Sequence, residues 1–119
     1  MKRPTVYLDT SIVSAFWYEG ADVVLLSRRL STREWWDLER RHFAIWSSAF
    51  TEAELRAGTF ARQVECQRMV RQLRYLPVTA AVKQLAKQIV RLAIVAPKKA
   101  ADAAHLAIAA VHRIDYLLT

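Results

Sequence analysis

Asp9, Glu54 and Asp102 are the residues of this chain whose type and placement could do chemistry. Asp9 closes the apolar run Val6-Tyr7-Leu8 just ahead of a helix beginning near Ser11. Glu54 lies in SSAFTEAELRAG, just past the next apolar segment, and Asp102 lies in KKAADAAHLAIAAVH, near the start of an Ala-rich helix. In open α/β sheets ligands bind beyond the carboxyl ends of the strands. Helices that return to the far end of the sheet begin at that same edge, so strand ends and first helical turns converge there. Three carboxylates from a span of 93 positions would then share one small volume. Carboxylates that close repel and raise each other's pKa unless a cation neutralises them. Oxygen-only ligands suit Mg2+ or Mn2+, so the pattern points to a divalent-metal site.

Each acid also has a structural role open to it. Asp9 can simply cap the following helix. Glu54 completes Thr51-Glu52-Ala53-Glu54, a capping-box pattern in which it would bond back to the backbone. Asp102 can complement the dipole in a first helical turn, yet its neighbours Ala100, Ala101, Ala103 and Ala104 leave access for something large. His105, one turn on, can be a metal ligand, a proton donor or a buried histidine bonded to backbone; we favour the last, with a bond to a carboxylate second. Asp115 is excluded, because it starts its strand and lies roughly 13 Å from the active edge at about 3.3 Å per residue. Glu52 points about 200° around the helix from Glu54 and is expected in solvent.

The elements that must position these acids follow from periodicity and caps. Residues 5–9 read as strand one and 11–18 as the start of a helix. Asp22 caps a second helical stretch, while Ser31 with Glu34 forms a capping box that opens STREWWDLERRH, giving a helical hairpin or a kinked long helix. Residues 43–47 read as strand two, followed by a helix from about Ser48 that stops at Gly58. Residues 60–74 alternate Val64, Met69, Val70 and Leu73 with Arg62, Arg68, Arg71 and Arg74, as an amphipathic helix does. Residues 76–79 form a short strand. Val82, Leu85, Ile89 and Leu92 set a core-facing helix over 80–95, which Pro97 breaks. A helix from about Lys99 to Arg113 leads into a final strand, 115–119. This alternation predicts an α/β fold, a three-layer α/β/α sandwich with a short parallel sheet.

At 119 residues and 54% hydrophobic, the chain can bury one core, so a single domain over 1–119 is expected. The net charge of +7 is uneven: residues 1–58 carry eight Lys/Arg and eight Asp/Glu, residues 59–119 ten against three. A basic surface attracts polyanions, nucleic acid above all. Thirteen of the eighteen cations are Arg, which suits forked contacts to phosphate and also occurs in GC-rich genomes. A lone Cys66 excludes an intrachain disulfide or Cys-based zinc site and fits a reducing cytoplasm. The Met-Lys-Arg start resembles a signal-peptide n-region, but Asp9 interrupts its apolar run. No stretch approaches the roughly 18 to 20 apolar residues of a membrane helix. A soluble, cytoplasmic protein without a membrane partner is expected.

Strand-Asp-Thr-Ser at the start, E-L-x-x-G after the second strand, P-K-x-A-x-D-A-x-H-x-A-x-A and D-Y-L-L-T together resemble the PIN-domain nucleases. The likeness is in particular to the VapC-like toxins of type II toxin-antitoxin pairs, a subgroup of which also matches T-R-E-W-W at residues 32–36. The match runs in order over nearly the whole chain. It implies that the family's metal-binding acids fall on Asp9, Glu54 and Asp102, with Thr10 and Ser11 as hydroxyls beside the first acid. It also implies Mg2+- or Mn2+-dependent RNA cleavage, a homodimer and a cognate antitoxin. In the resembled subgroup D-Y-L-L-T runs on into Trp-Asn and a nearby His, and many PIN domains carry a further Asp there. The resemblance therefore implies a PIN-like domain truncated after the fourth strand, its C-terminal strand and tail missing.

The leading expectation is an endoribonuclease whose carboxylates hold one or two divalent ions that activate water towards phosphorus. Arg62, Arg68, Arg71, Arg74, Lys98 and Lys99 are candidates to guide the RNA backbone, and His105 to support the acids. The alternative is a truncated, catalytically weak remnant acting only through dimer, antitoxin or RNA binding, for which Trp17, Trp35 and Trp36 beside Arg-rich helices speak. A phosphohydrolase with Asp9 as nucleophile, as in haloacid-dehalogenase-like enzymes, lacks its second Asp, since position 11 is Ser. If the basic half binds RNA, affinity should fall steeply between low and moderate salt, because each neutralised phosphate releases counterions. A flat salt response in a filter-binding titration would return these cations to solvent.

Overall fold

Four short strands, all parallel and in the order β3-β2-β1-β4, form the sheet of this computed structural model, which describes residues 2–92, 94, 96 and 99–119. The elements are β1 (Thr5–Leu8), α1 (Thr10–Phe16), α2 (Val23–Glu39), β2 (Ala44–Ser48), α3 (Ala49–Arg56), α4 (Gln63–Arg71), β3 (Arg74–Leu76), α5 (Ala80–Arg91), α6 (Ala100–Val111) and β4 (Tyr116–Leu118). A short 3₁₀ turn, Arg40–His42, joins α2 to β2.

β1 is central and carries Val6, Tyr7 and Leu8 wholly inside, as a parallel strand covered on both faces must. Successive strand residues point to opposite faces, and two cores result. On one face Tyr7, Trp46, Leu76 and Leu117 meet Val82 and Ile89 of α5 and Ala103, Ala107 and Ile108 of α6. On the other, Val6, Leu8 and Ile45 pack with Ile12 of α1 and Trp35 and Trp36 of α2. Val13, Leu55, Cys66, Met69 and Val70 join α1, α3 and α4 beside them, with Trp17 packed against the cluster. Helices thus cover both faces of the sheet, which accords with three layers. Of the three tryptophans singled out for partner binding, each is half-buried against one of these cores.

Each of the first three strands passes into a helix through a side-chain cap. Asp9, Ser48 and Thr79 accept from the backbone N–H groups of α1, α3 and α5. These caps fix three helix starts at the carboxyl edge of the sheet. Asp22 caps α2 as expected. Gly58, just past the end of α3, takes φ +68°, the left-handed turn that makes glycine the natural stop. At the end of α6 the same turn falls on Arg113, φ +53°, with Ile114 N–H returning to Ala109 C=O at 3.0 Å. Ile114 packs into the core there and delivers the chain to β4.

Several expectations are corrected. Ser31 and Glu34 open no new helix, because α2 runs unbroken through them and propagating a helix is easier than nucleating one. The third strand lies at Arg74–Leu76 rather than 76–79, since its partner β2 ends at Ser48, opposite Leu76. In α4 it is Cys66 that faces the core, and Val64 is exposed. Leu92 caps α5 from an exposed position instead of extending its buried stripe. The break assigned to Pro97 lies outside the described residues.

Burial pushes the Cys66 thiol up to about 11, with the Glu65 charge adding to it and Arg62 opposing. Thiolate is the reactive form. Native protein at pH 8 should therefore leave Cys66 unmodified by an aromatic disulfide reagent, and guanidinium-unfolded protein should react as a free thiol; rapid reaction of the native form would contradict this environment.

Candidate functional site

Asp9 emerges from β1 at the sheet's carboxyl edge, and its capping work falls on one oxygen. Oδ1 accepts from Ser11 N at 3.0 Å, Ile12 N at 3.3 Å and Ser11 Oγ at 2.6 Å. Among the described residues Oδ2 accepts nothing, and Asp9 lines a cavity of about 360 Å³. The same cavity takes Asp102, from the first turn of α6, together with Lys99, His105 and Thr119. Ile94, Ala96, Leu106 and Leu117 supply its apolar wall. Asp102 is exposed, while its neighbour Ala103 is fully buried. Capping and cavity are therefore compatible roles for Asp9, because they use different oxygens.

Glu54 arrives differently. Ser48 rather than Thr51 caps α3, so the capping-box role suggested for Glu54 is not taken. Glu54 Oε1 instead accepts from His105 Nε2 at 2.6 Å and from the Thr10 hydroxyl. Thr10 Oγ1 also lies 3.4 Å from His105 Nε2, closing a triangle of three groups. Glu54 is absent from the cavity lining and meets it through His105. Among the described residues no three His, Cys, Asp or Glu side chains form a ready-made metal-ligand set. The structure thus brings Asp9 and Asp102 to one cavity and keeps Glu54 one hydrogen bond away.

His105 is 3% exposed and bonds side chains, not the backbone expected for it. Its Nδ1 lies 2.7 Å from the Tyr7 hydroxyl, and its ring stacks on Phe50 with centroids 5.0 Å apart. Tyr7 in turn meets Ser48 Oγ at 2.8 Å and Thr51 Oγ1 at 3.3 Å. A polar chain therefore runs through the core, Ser48, Tyr7, His105, Glu54, Thr10, and meets the cavity at His105. Burial pushes the Tyr7 phenol up; hydrogen bonds with Ser48 and Thr51 oppose this only in part, and the charges of Asp9 and Glu54 add to it. Burial also pushes the Glu54 carboxyl up, but the hydrogen bonds from His105 and Thr10 and the charge of His105 outweigh it, so its pKa ends below the ordinary glutamate value.

Tyr7, Ser48 and Thr51 are participants that sequence reasoning passed over. A tyrosine inside an otherwise apolar buried strand was the available signal, because a buried phenol needs a partner. Of the basic candidates, Lys99 lines the acid cavity. Arg62 lies over the Trp17 ring and within 4.0 Å of Glu19 and 3.6 Å of Glu65. Arg71 is 3.7 Å from Glu52, and Arg68 lines a second cavity with Phe16, Trp17, Trp36 and Arg40. Arg74 begins β3, at the opposite edge of the sheet, against Trp46. Lys98 lies outside the described residues. Glu52, expected in solvent, is half-buried and accepts from Tyr75 Oη at 2.7 Å. Asp115 accepts from Thr5 N at 2.8 Å at the far end of β1, well away from the acids.

No protein-family model matches the chain, and no curated protein matches it.

Because folding lowers the Glu54 pKa, its hydrogen-bonded carboxylate stabilises the protein above the ordinary glutamate range, and the contribution is lost as pH falls through the folded-state value. Glu54→Gln keeps an acceptor but not the charge, so metal-free protein should lose about 1 kcal/mol near pH 7. Urea titrations should show that gap closing in acid; a gap independent of pH would deny the carboxylate its partner.

Proposed function

We propose that this chain is a PIN-like, divalent-metal-dependent endoribonuclease, the toxin component of a toxin-antitoxin pair. One observation carries the reading: Asp9 and Asp102, far apart in sequence, line one cavity at the carboxyl edge of a parallel sheet, where open α/β folds bind ligands. The motif resemblance supplies the family, and with it a homodimer and an antitoxin.

The donor chemistry fits Mg2+ or Mn2+, which take oxygen ligands and, for Mg2+, one or two protein carboxylates completed by water and phosphate oxygens. Asp9 Oδ2 and Asp102 would hold the ion, with Glu54 set behind the cavity on His105. When bound, such an ion activates water and neutralises charge at phosphorus. The chain's own residues do the rest. The Ser11 and Ile12 bonds hold the Asp9 carboxylate in one orientation, so no reorganisation is needed on binding. Lys99 offers a cation to phosphate at the same cavity, and Leu106 and Leu117 keep water from one wall.

Binding without turnover is favoured by a different feature, the second cavity of about 280 Å³, where Arg40 and Arg68 flank Phe16, Trp17 and Trp36. Aromatic rings beside arginines suit nucleic acid or protein partners. Cleavage separates the two readings. Purified protein should cut single-stranded RNA with Mn2+ or Mg2+ and stop in EDTA, and Asp102→Asn should abolish cutting while stability stays within about 0.5 kcal/mol, as for an exposed position. RNA bound but never cut with either metal would leave the binding role; cutting that persists in chelator would remove the metal.

A further inference from the structure

At the amino edge of the sheet, the end away from the acids, a cavity of about 220 Å³ opens beside the first residues of β2, lined by Arg3, Phe43, Ala44, Ile45, Trp46 and Arg74. Strand register builds it. Thr5 lies opposite Ala44 and Trp46 opposite Arg74, so Arg3, just ahead of β1, and Arg74, at the start of β3, flank β2 from its two sides. Both guanidiniums are held: Arg3 donates to the Arg41 carbonyl at 3.2 Å, and Arg74 lies 5.7 Å from the centre of the Trp46 ring. Among the described residues neither has a carboxylate at salt-bridge distance, whereas Arg62 meets Glu19 and Glu65, and Arg71 meets Glu52. The cations around α4 are compensated inside the protein, and those at the amino edge are not. Two like charges on one largely apolar cavity call for an anion from outside.

We propose that this cavity is a second contact for the substrate, in which Arg3 and Arg74 take a backbone phosphate of a single-stranded RNA whose reacting bond lies at the acid cavity. Guanidinium forks match phosphate oxygens, and the rings of Phe43 and Trp46 beside them suit a nucleotide base. The volume falls below the roughly 300–1,000 Å³ of sites that enclose a whole small ligand, so it admits a fragment of a polymer rather than a free metabolite. From Ala44 to Ser48, β2 makes four steps of about 3.3 Å, which sets this cavity roughly 13 Å from the carboxyl edge. Only a chain of several nucleotides touches both ends. The part played in turnover rests on the nuclease reading above, whereas the binding site does not.

Binding measured in EDTA by fluorescence anisotropy separates the two. The parent protein should hold a single-stranded RNA of about 16 nucleotides far more tightly than one of about 4. Arg3→Ala/Arg74→Ala should weaken the longer RNA about tenfold or more, as the loss of charge-assisted contacts does, lower its salt slope by about 2, and leave the shorter one unchanged. Lys83→Ala/Lys87→Ala removes the same charge from exposed positions of α5 and should cost about twofold at most. Trp46 Nε1 has no acceptor among the described residues, and its 1H–15N resonance should move on adding the longer RNA. If the double variant does not fold, Arg3→Ala alone, outside every strand, should still weaken the longer RNA. Unchanged affinity in the folded variant, an equal loss in the Lys83/Lys87 control, or polyglutamate or inorganic phosphate moving the Trp46 resonance as far as RNA does, overturns the proposal. In cleavage with Mn2+ the double variant should raise KM for the longer RNA and keep kcat. Parent protein that binds through Arg3 and Arg74 yet never cuts sinks the nuclease reading and keeps the site; cutting that ignores both substitutions does the reverse.

Discussion

A phenol hydroxyl placed in the middle of a fully buried strand is the constraint on which much of this fold turns. Tyr7 sits on β1 with neighbours on both sides and a helical layer against it. Leaving its hydroxyl unpaired there would cost on the order of 1–3 kcal/mol. Its partners come from three separate places: Ser48 at the end of β2, Thr51 in α3 and His105 in α6. Satisfying one group therefore fixes how β2 registers on β1, where α3 starts and how deep α6 sits. A one-residue slip of β1 would carry Tyr7 to the other face, into the hydrophobic cluster of Val6, Leu8 and Ile12 and away from Ser48, Thr51 and His105. The polar chain thus selects the register that hydrophobic burial alone leaves less well defined.

α6 can meet that demand because it is built from small residues. Ala103 and Ala107 are fully buried, with Ala109 nearly so, and their short side chains let the helix lie close to α5 and the sheet. Positions three and four apart share a helical face. Asp102, His105 and Leu106 accordingly line one cavity, while Ala103 and Ala107 turn into the core. A larger residue at 103 or 107 would lift the helix and separate His105 from both Tyr7 and Glu54. Close packing and site geometry are here one property of the same helix.

The sequence was most legible where local physics decides. An apolar run ending in Asp, followed by a helix, identified β1, its cap and the edge on which Asp9 lies; Asp22 and Gly58 were readable for the same reason. It was least legible where tertiary partners decide. Thr51-x-x-Glu54 is a sound capping box on paper, but Ser48 stands three residues earlier at the strand's end and takes the cap, releasing Glu54 to reach α6. His105 was expected on backbone because nothing in the local sequence reveals Tyr7, 98 positions away. Glu52 looked solvated until Tyr75, on the neighbouring β3, came within 2.7 Å. The convergence of Asp9 with Asp102 was foreseeable from topology, whereas the withdrawal of Glu54 behind His105 was not.

The three acids, alike in type, are held by three different means, and this bears on how the edge carries its charge. Asp9 draws on the backbone N–H groups at the start of α1, and Asp102 lies in the first turn of α6, where the helix end carries partial positive charge. Glu54 relies on an imidazole and a hydroxyl instead. Had all three carboxylates faced one another, mutual repulsion would have raised their pKa values and strained the fold without a cation. Distributing them over two helix ends and one histidine gives each carboxylate a compensating partner of its own. Two acids reach the cavity directly, and the third meets it from behind through the ring of His105.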